Sequence, residues 1–191
     1  MLDFTPIRNR TQSFADFSRN ITKADLQKYT NEMIDTELDI INGATDADVV
    51  FVPVDPEAND TFGKPEEAAL AWTLGHVVVH ATASSEEAAA LSSSLARGLA
   101  VEGRSRYEIP WQTVTTVAQL HQRLEESRRM RLAFLETWPD EPHLDITQEL
   151  PFGTFNAVTR FLAGLFHEDS HLEQLREIMR QARAARSENN R

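Results

Sequence analysis

The sequence predicts an all-α fold, a four-helix bundle with long inter-helix connections. Four segments of roughly 20 to 30 residues repeat apolar side chains at the helical period. The connections between them are rich in proline, glycine, aspartate and asparagine, residues that interrupt helices. No segment competes with this assignment as a strand. A length of 191 residues is typical of one domain with a single hydrophobic core.

The first predicted helix begins after Thr22. This residue is typical of a helix N-cap, and Asp25 three residues later makes a variant of the capping box. An apolar stripe follows, and Gly43 marks the end of the helix. The prolines, aspartates and asparagines of residues 44–65 then predict a connection without regular structure.

The second predicted helix runs from about Glu66 towards Leu99 and is the most apolar of the four. Residues 68–85 contain no Asp, Glu, Lys or Arg. This stretch contains two histidines and several Ser and Thr residues, and its length is at the short end of what a membrane span needs. We therefore expect a buried helix, which Gly98 or Gly103 closes.

The third predicted helix begins at a capping box formed by Thr116 and Gln119, and Pro139 stops it. It follows a connection over residues 104–114 that contains Pro110. Three arginines make its polar flank: Arg128, Arg129 and Arg131.

The fourth predicted helix follows a proline-containing connection over residues 140–153. Thr154 or Asn156 caps it, and it extends to about Ala185. Residues before the first helix show no sustained period and are expected to form an irregular arm or a short helix. The expected division is an N-terminal arm over 1–21, the helical bundle over 22–186 and a frayed tail over 187–191.

Charge and composition exclude several functions. The net charge of −11 argues against nucleic acid as a partner, since binding to phosphates needs a basic face. Cysteine is absent, so the chain has no disulfide, no thiolate ligand and no thiol nucleophile. The N-terminus lacks the pattern of a secretory signal, which makes the cytoplasm the expected location and a membrane an unexpected partner.

Three histidines on predicted helices are the candidate metal ligands. His167 and His171 are four residues apart and project from one helical face. By itself such a pair is more typical of solvated side chains, because two ligands rarely hold a metal well. His80 lies in the apolar helix, where a polar ring needs either a hydrogen bond or a metal ion.

The other histidines have weaker patterns. His76, one turn before His80, is a possible fourth ligand, a hydrogen-bond donor behind the ligands, or a packing residue. His121 and His143 have no partner pattern, so we expect surface or structural roles for them.

The arrangement of these motifs resembles the DinB/YfiT-like superfamily and the related mycothiol-dependent maleylpyruvate isomerases. Trp72-Thr73 is followed by His80, and His167-x3-His171 comes near the end of the last helix. The sequence Thr-Asp-Ala-Asp over residues 45–48 also follows the first helix. The likeness covers about residues 22–182.

This resemblance implies an up-down-down-up bundle, usually a homodimer, that holds a divalent metal ion on three histidines. The implied ligands are His80, His167 and His171. The isomerase branch has a carboxylate at the position of His167, which argues against a strict isomerase assignment. His76 and the first 20 residues depart from the family pattern.

Three neutral imidazoles around a divalent ion leave coordination positions open for a water or a thiol. Zinc, nickel and iron all suit such a site. The leading hypothesis is a metal-dependent transferase or isomerase that joins a low-molecular-weight thiol, such as bacillithiol, mycothiol or glutathione, to an electrophile. The alternatives are a metal-binding or stress-response dimer without turnover, and a hydrolase that uses metal-bound hydroxide.

Charged side chains supply secondary candidates. The arginines of the third helix could attract an anionic cofactor, although a solvated face is the commoner role of such a run. Glu168, Asp169 and Glu173 could orient the ligands or act as a general base. Exposed surface roles are the favoured interpretation for these three acidic residues.

Overall fold

The computed structural model describes residues 2–59, 68–104, 106–150 and 153–189, and it is mainly helical, as predicted. In chain order the elements are α1 (Thr5–Arg8), α2 (Phe14–Phe17), α3 (Lys23–Ile40), α4 (Asp46–Val49), α5 (Leu74–Ala96), α6 (Val117–Glu136), β1 (Gln148–Leu150), β2 (Gly153–Phe155) and α7 (Ala157–Asn189). Residues Trp111–Thr113 form a 3-10 turn before α6.

The four long helices pack in alternation around the core. α5 contacts α6 and α7, and α3 contacts the same two helices. Buried apolar residues on almost every side of α5 include Leu74, Val77, Val78 and Ala81, each 0% exposed. This agrees with the prediction of a covered apolar helix, since such a cylinder must be buried on most sides. No helix in the described part of the chain has the length and apolar character that a membrane crossing requires.

The capping predictions for three helices are confirmed. At the start of α3, the Thr22 hydroxyl accepts from the Asp25 backbone N–H at 3.2 Å, and the Asp25 carboxylate accepts from the Thr22 N–H at 2.9 Å. Thr116 and Gln119 form the same reciprocal pair before α6. For α7 the cap is Asn156, whose side-chain oxygen accepts from the Thr159 N–H at 3.0 Å.

The predicted start of the second long helix near Glu66 is wrong. α5 begins at Leu74, because the Thr73 hydroxyl caps it by accepting from the His76 N–H at 3.2 Å. Residues 68–73 form a turn and a stretch without regular structure, and Glu66 itself lies outside the described residues. At the other end Gly98 follows the helix with φ +82°, a left-handed conformation that favours glycine.

Short elements appear in connections that were predicted to be irregular. β1 and β2 form an antiparallel hairpin in which Gln148 pairs with Phe155, so the prediction of no strand is wrong. Strands of three residues are too short to show an apolar alternation in the sequence. α4 is one turn of helix begun by a Thr45–Asp48 capping box. α7 continues to Asn189, beyond its expected end near Ala185.

The N-terminal arm packs on α7 just before the histidine pair. Phe4 is 1% exposed, and its ring lies 5.6 Å from Phe17 and 5.5 Å from Phe166. The Phe14 ring is also 5.6 Å from Phe166. Arg8 of α1 forms an ion pair with Asp169 of α7. The arm therefore covers the part of α7 that carries His167.

Candidate metal centre

His80 of α5 meets His167 and His171 of α7 at one point. One nitrogen from each ring lies within 4.8 Å of the other two, and the Nε2 atoms of His80 and His167 are 3.2 Å apart. Zinc–nitrogen bonds of about 2.0–2.1 Å in a tetrahedral site would place ligand nitrogens about 3.3 Å apart. The distance between His80 and His167 matches this value, and His171 lies close enough for one ion to contact all three rings.

Polar side chains hold the outer nitrogens of two of the rings. The His80 Nδ1 atom lies 3.4 Å from the Glu108 carboxylate, and the His171 Nδ1 atom lies 2.9 Å from the Gln174 side-chain oxygen. A neutral ring that donates from Nδ1 presents its lone pair on Nε2. Such partners commonly fix the orientation of metal-binding histidines.

Neither partner was identified in the sequence. Gln174 could have been found, because it lies three residues after His171 and therefore on the same helix face. Glu108 lies in the connection before α6, where no periodicity indicates which side chains point inward.

The pKa of the His167 ring is strongly lowered. Burial, and then the neighbouring His171 and His80 and the cations Arg106 and Arg104, lower its pKa to about 3. The ring is therefore neutral at physiological pH, which leaves a lone pair for a metal ion.

Aromatic rings surround the histidines and explain His76. The Trp72 ring lies 4.6 Å from His80 and 5.7 Å from His171. His76 is stacked between Trp72 at 4.4 Å and Trp111 at 4.6 Å. Of its three predicted roles, this geometry supports packing. His121 and His143 are exposed, as expected for surface residues.

Comparison with known proteins places the chain in a family. A family model described as the DinB superfamily matches residues 22–175, which include all three histidines and most of the four long helices. The chain belongs to the DinB superfamily. No curated protein and no solved structure shows significant similarity to it. The family membership agrees with the resemblance seen in the sequence.

Glu168 of this DinB protein is buried, so the expectation of an exposed surface role is wrong. Its side chain is 0% exposed and forms an ion pair of 2.5 Å with Arg131, which is 1% exposed. The Ser85 hydroxyl oxygen lies 3.1 Å from the same carboxylate. Arg131 was likewise expected on a polar flank. Both side chains turn inward because each supplies the charge that the other needs in the core.

A second buried carboxyl, Glu37 of α3, belongs to the same polar cluster and was not noticed in the sequence. It is 0% exposed. Burial, and then the negative charge of Glu168, raise its pKa well above the usual value, while Arg131 acts in the opposite direction. This shift favours the protonated, uncharged form of Glu37 in the folded protein.

The remaining charged candidates lie in other ion pairs or on the surface. Asp169 pairs with Arg8, and because its side chain is only 8% exposed, the exposed role expected for it is wrong. Glu173 has the expected exposed role, since its side chain is 85% exposed and pairs with Arg176. Arg128 pairs with Asp35 at 2.6 Å, and Arg129 is exposed. The ion pairs of Asp169, Glu173 and Arg128 thus occupy the charges that were the candidates for a general base or an anion site.

Proposed function

We propose that this DinB-superfamily protein binds a divalent metal ion through His80, His167 and His171. The observation that carries the proposal is the convergence of three ring nitrogens, from two helices, within 4.8 Å. The low pKa of His167, about 3, supports it because the ring stays neutral. Zinc, nickel and iron are the expected ions, since imidazole suits all three.

The activity that we propose is transfer of a low-molecular-weight thiol to an electrophile. Three protein ligands leave a position for an external ligand, and a divalent ion there would make a bound thiol ionise at neutral pH. The chain has no cysteine, so the sulfur must come from a small molecule. Bacillithiol, mycothiol and glutathione are the thiols to test. A histidine at position 167 favours a transferase over an isomerase.

The protein's own residues would orient and shield the reactants. Glu108 and Gln174 fix the rings of His80 and His171 from behind. Trp72 lies against the rings and excludes water from one side of the centre. These contacts keep the ligand geometry set before any substrate arrives.

We also propose an up-down-down-up bundle that works as a cytoplasmic homodimer. The alternation of α3 and α5 with α6 and α7 supports the bundle order. Family membership supports the dimer, whose test is the molar mass in solution by light scattering.

Metal analysis tests the site. Protein purified without a histidine tag should contain near-stoichiometric metal when it is measured by inductively coupled plasma mass spectrometry. The variants His80→Ala, His167→Ala and His171→Ala should each lose it, whereas the exposed control His121→Ala should keep it. Full metal content in any of the three variants would remove that histidine from the ligand set.

Turnover separates the transferase from a second function, metal binding without catalysis. Two cavities of about 530 and 360 Å³, lined by described residues, lie beside α3 and not at the histidines. Because neither cavity could bring a substrate to the histidines, this observation favours the second function. The metal-loaded protein should accelerate the reaction of one of the three thiols with a generic electrophile. The acceleration should disappear with a chelator. Absence of acceleration with every thiol would favour the second function.

A further inference from the structure

The connection before α6 lies along the face of α5 that carries His80. His80, Ser84 and Glu87 are spaced i, i+4, i+7 and so share one side of the helix. The Arg106 backbone N–H donates to the Glu87 carboxylate at 2.8 Å, and the Arg106 guanidinium donates to the Ser84 hydroxyl at 2.8 Å. Glu108 then reaches the His80 ring at 3.4 Å. This connection therefore lies beside the histidines, on the side of His80.

Positive charge is in excess around this connection. Arg106 pairs with Glu108 at 2.9 Å, and Arg104 pairs with Glu87 at 3.2 Å. A third guanidinium, from Arg160, lies 3.9 Å from Glu87. Three guanidinium groups thus meet two carboxylates, in a chain whose net charge is −11. A divalent ion on the histidines would add to the local positive potential.

Arg104 retains donors for a ligand. Its side chain is 60% exposed, whereas Glu87, its partner, is 2% exposed. Glu87 also accepts from the Arg106 backbone N–H and lies near the mostly buried Arg160. The contacts with Glu87 use the Nε and one terminal nitrogen of Arg104. The second terminal nitrogen takes no part in these two contacts, and the planar donors of a guanidinium suit a carboxylate.

Arg106 supplies the fixed part of the same surface. Its side chain is 21% exposed and is held between Ser84 and Glu108. It therefore loses little conformational entropy when a ligand binds.

We propose that Arg104 and Arg106 form an anion-recognition surface beside the histidines, which selects small thiols that carry a carboxylate. A single carboxylate matches the one positive charge in excess. The proposal rests on the proposed metal site and adds the substrate class. It also replaces Arg128 and Arg131 of α6, which form ion pairs with Asp35 and Glu168, as the attraction for an anionic ligand.

Binding of two matched thiols to the cobalt-loaded protein tests this proposal. 3-Mercaptopropionate and its neutral amide have the same length, and coordination of either thiol gives a thiolate-to-cobalt absorption band. The carboxylate form should bind the wild-type protein about tenfold more tightly, the factor that about 1.4 kcal/mol provides. Added salt should reduce that preference, because the arginines are partly exposed.

Variants of Arg104 give the decisive comparison. Arg104→Gln should lower the affinity ratio from about ten towards one, with Arg106 keeping a remainder, and Arg104→Lys should keep more of the preference. Arg129→Gln, a change at an exposed arginine of α6, is the matched control and should behave like the wild type. Equal affinities for the two thiols, or a ratio that Arg104→Gln leaves unchanged, would overturn the carboxylate proposal and leave the metal site standing. Failure to bind cobalt at all would overturn both.

Discussion

Gly164 of α7 lies directly against Ala88 of α5. A Cβ atom on residue 164 would stand 2.6 Å from the Ala88 Cβ and 3.1 Å from the Ser85 Cα. The Ser85 hydroxyl donates to the Gly164 carbonyl at 3.0 Å, so the two helices are held at this short distance by a hydrogen bond as well as by packing. The contact comes one turn before His167 and therefore sets the distance between the helices that carry the histidines.

Gly164→Ala should destabilise the protein by about 1–3 kcal/mol, the usual cost of overpacking a tight core. It should also weaken metal binding, because α7 must move away from α5. Adding Ala88→Gly should recover much of both losses, since it removes the atom that clashes. Urea denaturation and metal titration of the two single variants and the double variant measure this. A Gly164→Ala variant as stable as the wild type would contradict the close contact.

Glu168→Ala should cost about 3–5 kcal/mol of unfolding free energy, because it leaves the Arg131 charge buried without its partner. The matched control is Glu173→Ala on the same helix. Its side chain is 85% exposed and pairs with a surface arginine, so its loss should be below about 1 kcal/mol. Chemical denaturation measures both. Similar losses in the two variants would show that Glu168 is not paired in the core.

Glu37→Gln should change how stability depends on pH. The pKa of Glu37 is raised in the folded protein, chiefly by burial, above the value of 4.5 that it has in the unfolded chain. The unfolded state therefore ionises first as the pH rises, and the wild type loses stability between 4.5 and the raised folded-state pKa. The glutamine variant lacks this loss. Denaturation across this pH range should show its advantage growing, and parallel profiles would refute the assignment.

Glu108→Ala should lower metal affinity by about 10- to 100-fold, the usual effect of removing a partner that orients a histidine ligand. Its carboxylate lies 3.4 Å from the His80 Nδ1 atom. Glu102→Ala, an exposed residue in the same connection, is the control and should bind metal normally. Competition with a coloured chelator gives both affinities. Equal affinities would place the orientation of His80 elsewhere.

Local signals in the sequence predicted the ends of helices and the histidine pair. Capping boxes at Thr22 and Thr116 involve residues three apart, so the partners can be read directly from the chain. The spacing of His167 and His171 likewise follows from the helical repeat. The approach of His80 to this pair depends on tertiary packing, and the family resemblance supplied it.

Partners far apart in the sequence explain what was missed. Glu168 looked like a surface residue because its buried partner, Arg131, comes from another helix, and neither residue type indicates burial by itself. Glu108 lies in a connection whose path over α5 is set by contacts with Ser84 and Glu87. The predicted start of the second long helix was too early because the alanine-rich sequence before Thr73 favours a helix. In the structure the Thr73 hydroxyl caps α5, and the helix begins after it.

The N-terminal arm limits where this protein can be truncated. The family match begins at residue 22, yet Phe4 and Phe14 cover Phe166, the residue before the first histidine of the pair. The match ends at residue 175, while Ile178 and Met179 beyond it are each 2% exposed. A fragment trimmed to the homologous boundaries would present freshly uncovered apolar surface to solvent at both ends. The segment that the family shares is thus shorter than the segment that packs into one folded core.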